Sequence, residues 1–334
     1  MHCLLARHFL LCAAVLIIYS PLTRAQQAQP SQPSSAAMVN ALNDVFGAHA
    51  TYRANHAHGT LLTAIFTPST AAADISRAPH FAAATNTPVL VRFSTFGGTP
   101  DVSDGAPGAA PYGLSLKFML SEHRETDLVM HSFNGFPSAT AADFVDFLIA
   151  MSKSPFGTAQ PTPLEQYADT HPAAKAFLAA KKLAPLSFTS QPYFSPNTFK
   201  FTNAVGKISY GRYRMVPLGK AQYIGAGLQA NVASDYLRTQ ITAQIATGLV
   251  QMRLQLQMAG STDVLEDPSI SWPESRELIE LGVLTISGAV DHAEARERTV
   301  VFMPDELPDG IEAADPMIAA RARAYAESLE RRLK

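Results

Sequence analysis

Cysteine is nearly absent from this chain. There are two, Cys3 and Cys12, and both fall within the first 25 residues. Without that segment the chain has no thiol, which excludes disulfides, thiolate metal ligands and cysteine nucleophiles together. An excess of positive charge is also missing. Arg7 and Arg24 lie in the same segment, so 24 of the 26 basic residues remain against 28 acidic ones. Such mild acidity excludes the basic footprint of a nucleic-acid partner. The apolar run from Phe9 to Tyr19 is too short to span a bilayer as a retained helix, and no later segment is long and apolar enough. No internal repeat stands out.

What the first 25 residues do contain is a basic start at Arg7, that apolar run, Pro21, and a Thr23-Arg24-Ala25 ending suited to a signal peptidase. This pattern predicts a cleaved secretory signal, a periplasmic or secreted location, and no stable membrane anchor after cleavage. There is no twin-arginine pair, so export in the unfolded state is expected, with any cofactor inserted afterwards. Residues 26–38, rich in Gln, Pro, Ser and Ala, read as a flexible lead-in. Residues 39–334 then form the folded domain, about 295 residues in length and enough for one large core.

Between 51 and 130 the runs "GTLLTAIFTP", "PVLVRFSTFG", "YGLSLKFML" and "TDLVMHSF" are rich in branched and aromatic residues and bounded by turn formers, as strands are. "ATAADFVDFLIAMSK" and "TPLEQYADTHPAAKAFLAAKK" predict helices between 139 and 184. "NTFKFTNAVGKISYGRYRMVPLG" returns to strand, a helix is expected from Asp235 to Leu249, and "QMRLQLQMAG" and "LIELGVLTISG" read as further strands. Residues 314–334 predict a terminal helix with Asp315 at its cap and Pro316 in its first turn. Strands in close succession suggest a barrel or sandwich, and the mixture is α+β.

Three places could carry chemistry. His56 and His58 are two apart: either they form a metal half-site on one strand, or one lies in a core and the other at a turn. Arg92 interrupts an apolar strand, which is costly unless it meets an anion or faces solvent; alternation does not choose between the two faces. In the last helix Arg321 and Tyr325 are four apart and share a face. Tyr325 either docks that helix or is a phenol whose ionised form the arginine favours.

Taken together, the motifs resemble those of the haem catalases, and in length and signal the chain is similar to the compact catalase-related peroxidases. "RANHAHG" at 53–59 resembles the family's R-x-x-H-A-x-G segment, "VRFS" at 91–94 its V-R-F-S strand, and "GLSLKF" at 113–118 its G-x-A-x-K-F. "NTFKFTNAVGK", "ATG" at 246–248, "SWPESRELIELGVLTI" and "LPDGIEAADPMIAARARAY" follow in the family's order.

The resemblance implies an eight-stranded antiparallel β-barrel with helices outside, holding haem b. It implies Tyr325 as axial ligand of the iron with Arg321 supplying positive charge, and His56 as the acid/base on the other face, its ring oriented by Ser94. Arg53, Arg92 and Arg332 would pair with the haem propionates, and His58 would be idle. Ser132 falls where the family has an Asn that orients peroxide, with His131 before it and Asn134 two later; sequence does not say which reaches the site. Phe136, Phe144 and Phe147 either stack on the haem or belong to the core. The implied reaction reduces hydrogen peroxide or an organic hydroperoxide with a small external donor. Peroxide dismutation, haem carriage without turnover and a metal-binding barrel are the alternatives, and the oligomeric state stays open.

Overall fold

The structure, a computed structural model, describes residues 32–225, 227–248 and 250–334. The expected signal and residues 26–31 lie outside these. The folded domain starts earlier than expected. Ser34 accepts a hydrogen bond from the Ala37 amide and caps α1 (Ser35–Phe46), which buries Met38 and Val39 and stops at Gly47, φ +84°. A serine cap and two apolar side chains are enough to order residues that composition alone assigned to a flexible segment.

Strands β1 (Gly59–Pro68), β2 (Thr87–Ser94), β3 (Gly113–Met119) and β4 (Glu125–His131) follow where expected, with the short helix α2 (Ala72–Ile75) after the first. Thr140 caps α3 (Ala141–Ser152), and Thr162 with Glu165 forms a capping box at the head of α4 (Pro163–Thr170). The second expected helix is cut in two: α5 (Pro172–Ala179) starts afresh because Pro172 has no amide to continue α4.

The remainder is β5 (Tyr193–Phe194), β6 (Phe199–Thr202), β7 (Ile208–Pro217), α6 (Tyr236–Thr247), β8 (Val250–Met258), β9 (Leu278–Ala289), α7 (Ala293–Thr299), β10 (Ile311–Ala313) and α8 (Met317–Leu333). β5, α7 and β10 are too short to leave a periodic pattern and were not expected. α8 begins at Met317 rather than 314, with its first amide donated to the Asp315 carboxylate at 2.8 Å.

Antiparallel pairing runs β1-β2-β3-β4-β5-β7-β8-β9 and back to β1, so eight strands close a ring, and β6 and β10 extend from β7 outside it. This is the expected barrel. Val89, Val91 and Phe93 of β2, Leu114, Leu116 and Phe118 of β3, and Leu128 and Met130 of β4 join its interior core. The alternate residues of the same strands point outward, yet most of β2 is buried on both sides, because Leu90 packs against Leu61 and Phe302 and Arg92 lies against Glu297 of α7. Arg92 therefore turns outward as alternation allows, but into a covered cavity rather than solvent.

Candidate active site

Register builds the site. Ser94 lies opposite Gly113 and Gly113 opposite His131, so three adjacent strands set these residues in one row on the outer face. All three line a single cavity with His56 from the loop before β1, and with Arg321, Tyr325 and Arg332 from α8. Arg53, Arg92, Phe96, Phe136, Phe144, Phe147 and Phe177 complete much of its wall.

His56 is held in left-handed backbone, φ +54°, a conformation that non-glycine residues keep only where their surroundings enforce it. Its Nδ1 lies 2.8 Å from the Thr95 carbonyl and 3.1 Å from Ser94 Oγ. A carbonyl can only accept, so Nδ1 carries the proton and Nε2 keeps its lone pair. Thr95, through its backbone, thus fixes the tautomer that was expected of Ser94 alone. Burial, then the charge of Arg92, lowers the His56 pKa to about 3, which keeps the ring neutral.

Gly113 makes room for this arrangement. A Cβ there would come within 2.5 Å of Ser94 Oγ and 2.8 Å of His56 Nδ1. Gly59 does the same for Arg92, whose guanidinium lies 2.5 Å from the Cβ position. The glycines of "HAHG" and "GLSLKF" are thus spaces reserved for neighbouring side chains.

His131, not Ser132, reaches the cavity. Ser132 Oγ accepts from the Tyr112 amide at 2.9 Å, and Asn134 donates to Glu274 at 2.8 Å. The His131 Nδ1 accepts from the Phe133 amide at 3.3 Å, which places its proton on Nε2. Burial, then Arg321 and His56, lowers its pKa to about 3. The two imidazoles are therefore neutral and of opposite tautomer: His56 offers an acceptor and His131 a donor.

His58 is excluded from this site. Its Nδ1 contacts the Pro100 carbonyl at 2.9 Å and its Nε2 lies 3.6 Å from Asp104, away from His56. The metal half-site fails accordingly, and the described residues hold no cluster of three His, Cys, Asp or Glu suited to an ion. On α8 the expected pair does meet: Arg321 donates to Tyr325 Oη from Nη2 at 2.9 Å and from Nε at 3.3 Å, while its Nη1 bonds the Asn197 amide oxygen. Arg53 and Arg92 converge on Glu297 of α7. Arg332 bonds the Arg298 and Val300 carbonyls, each at 2.8 Å.

The catalase family model matches residues 35–334. The chain belongs to the catalase family. It is 33% identical over 298 residues to a catalase-related peroxidase of Mycolicibacterium paratuberculosis, covering 88% of this chain and 93% of that one. It is 29% identical to a catalase-related peroxidase of Synechococcus elongatus, covering 89% and 88% of the two. Among solved structures, catalase A of Saccharomyces cerevisiae superposes with a TM-score of 0.74 at 21% identity, covering 84% of this chain. The chain spans 61% of that catalase's length, and this likeness concerns the fold. The protein is thus an oxidoreductase of the catalase and peroxidase type, acting on peroxide.

The family implies haem, and the residues present fit it. The cavity offers a phenol oxygen beside a guanidinium, a neutral imidazole base, aromatic walls and three buried or half-buried arginines. Gly113→Ala is expected to destabilise the fold by about 1–3 kcal/mol through overpacking and to displace His56. Thermal unfolding and peroxide turnover measured together check this, and wild-type values for both would count against the packing account.

Proposed function

We propose that the protein is an exported haem b peroxidase that reduces hydrogen peroxide or an organic hydroperoxide at the expense of a small external donor. The observation that carries this reading is the meeting of Tyr325, supported by Arg321, with His56 and His131 in one cavity. The names of the relatives at 33% and 29% identity support peroxidase rather than catalase activity. Export rests on residues 1–25 alone, outside the described residues.

Tyr325 is the side chain that would hold the iron, with Arg321 donating to its oxygen at 2.9 Å. A bound haem supplies the redox chemistry. His56 Nε2 takes a proton from one peroxide oxygen and returns it to the other as water or alcohol leaves. Its proton on Nδ1 stays with the Thr95 carbonyl, so the base is aimed before substrate arrives. His131 Nε2–H donates to the peroxide and keeps it beside His56, the task for which the sequence left Ser132, His131 and Asn134 open.

Because His56 titrates at about 3, the base form is available at every ordinary pH, and protonation removes it only as pH falls toward that value. The rate of peroxide reduction is therefore expected to be flat between about pH 5 and 8, unlike that of an unperturbed histidine. A midpoint near 6.5 in a pH–rate profile would contradict it.

His131→Ala is expected to lower peroxide reduction by about 10² through loss of a fixed donor, and His131→Asn to restore most of it. Oxygen evolution and oxidation of an added phenolic donor, measured side by side, test the wider reading. Donor oxidation should exceed oxygen release in the wild type, and vigorous oxygen release without donor would make dismutation the better description.

A further inference from the structure

α7 buries none of its residues. What joins it to the body includes a set of polar bonds with three arginines. Arg92 donates from Nε to both Glu297 oxygens at 2.9 Å, and Arg53 bonds the same carboxylate while its Nη2 reaches the Val300 carbonyl at 2.8 Å. Arg332 spends Nε and Nη2 on the Arg298 and Val300 carbonyls. The carbonyls at the C-terminal end of α7 are the negative pole of that helix, a natural seat for guanidinium groups.

The edges used for α7 leave others free. Arg92 Nη1 and Arg332 Nη1 have no protein partner among the described residues, and both arginines line the cavity although they are only 3% and 4% exposed. Charge points the same way: three guanidinium groups and one carboxylate leave a balance of two positive charges. Haem carries two carboxylates.

We propose that Glu297 is a positioning residue for the carboxylate end of the prosthetic group, holding Arg53 and Arg92 from behind and setting the cluster's charge to match. This rests on the haem reading of the cavity and adds to it a residue on α7 that the sequence motifs did not mark. A competing role, in which Glu297 occupies the place of a propionate and must leave, is disfavoured by the geometry. Arg92 meets Glu297 through Nε, so its Nη1 stays available while the pair persists. Burial works against ionisation of Glu297, but Arg92 and Arg53 outweigh it and hold its pKa below the usual value. Burial, then the neighbouring Arg92, lowers the pKa of both Arg53 and Arg332, the mark of like charges that a carboxylate is needed to offset.

The test follows transfer of haem from the purified holoprotein to excess apomyoglobin. Glu297→Ala is expected to speed transfer roughly tenfold or more, in the range set by loss of a supporting partner, with Glu297→Gln between it and wild type. The same proteins loaded with haem dimethyl ester should lose it at rates that do not depend on residue 297. Equal acceleration for haem and diester would mean that α7 had merely loosened, and unchanged or slower haem transfer in Glu297→Ala would make Glu297 a bystander or a competitor; each result overturns the proposal. A wild type that holds no haem at all overturns the reading of the cavity, and this inference with it.

Discussion

Tyr325→Phe is expected to lower the haem content of the purified protein roughly tenfold or more, and to change the absorption spectrum of whatever haem remains. The substitution removes one oxygen and leaves the ring, so packing of α8 against α1 through Met38, Met317 and Ala320 should survive. What is lost is the phenol oxygen on which two Arg321 donors converge. Arg321 then keeps Asn197 but forfeits two hydrogen bonds to the phenol oxygen. An anionic oxygen ligand stabilises ferric iron, and its removal should register in the spectrum before any turnover is measured. A variant with unchanged haem content and an unchanged spectrum would move the axial ligand elsewhere.

On the other side of the chemistry, His56→Ala should slow peroxide reduction by roughly 10²–10⁴ while haem stays bound, the range for a lost general acid/base. His58→Ala should change the rate by less than about twofold, since its ring faces Pro100 and Asp104 rather than the cavity. Ser94→Ala should fall between the two and nearer to wild type, because the Thr95 carbonyl still fixes the tautomer at 2.8 Å. Stopped-flow measurement of the peroxide step in the three variants decides the order. If His58→Ala proved the damaging change, the base would be two residues from His56, where we propose it.

Much of this was legible in the sequence because strands, caps and short motifs are local. β1 to β4 announce themselves through branched and aromatic runs, and Arg321 with Tyr325 through helical spacing. What escaped was set by partners distant along the chain. Alternation in β2 could not say where Arg92 points, because its outer face is covered as well as its inner one and nearly every residue of the strand is buried. The choice of His131 over Ser132 and Asn134 was hidden by the pairing of β3 with β4; only that register shows His131 beside Gly113, with Ser132 bonded to Tyr112. The Thr95 carbonyl and those of α7 leave no mark in a sequence, since every residue has a carbonyl. Glu297 sits in a helix of seven residues, too short for periodicity to mark.

The site draws on both extremes of the described chain: α1 packs on α8, Ala54 donates its amide to Ser328 at 3.3 Å, and Arg331 reaches Asn40 at 2.8 Å. Synthesis proceeds from one of these extremes to the other. A nascent chain could therefore close much of its barrel while still unable to grip a prosthetic group, because all eight strands of the ring precede α8, which carries Arg321, Tyr325 and Arg332. Acquisition of the cofactor is in this way tied to the synthesis of α8, and an interrupted chain that stops short of that helix would be left without reactive iron.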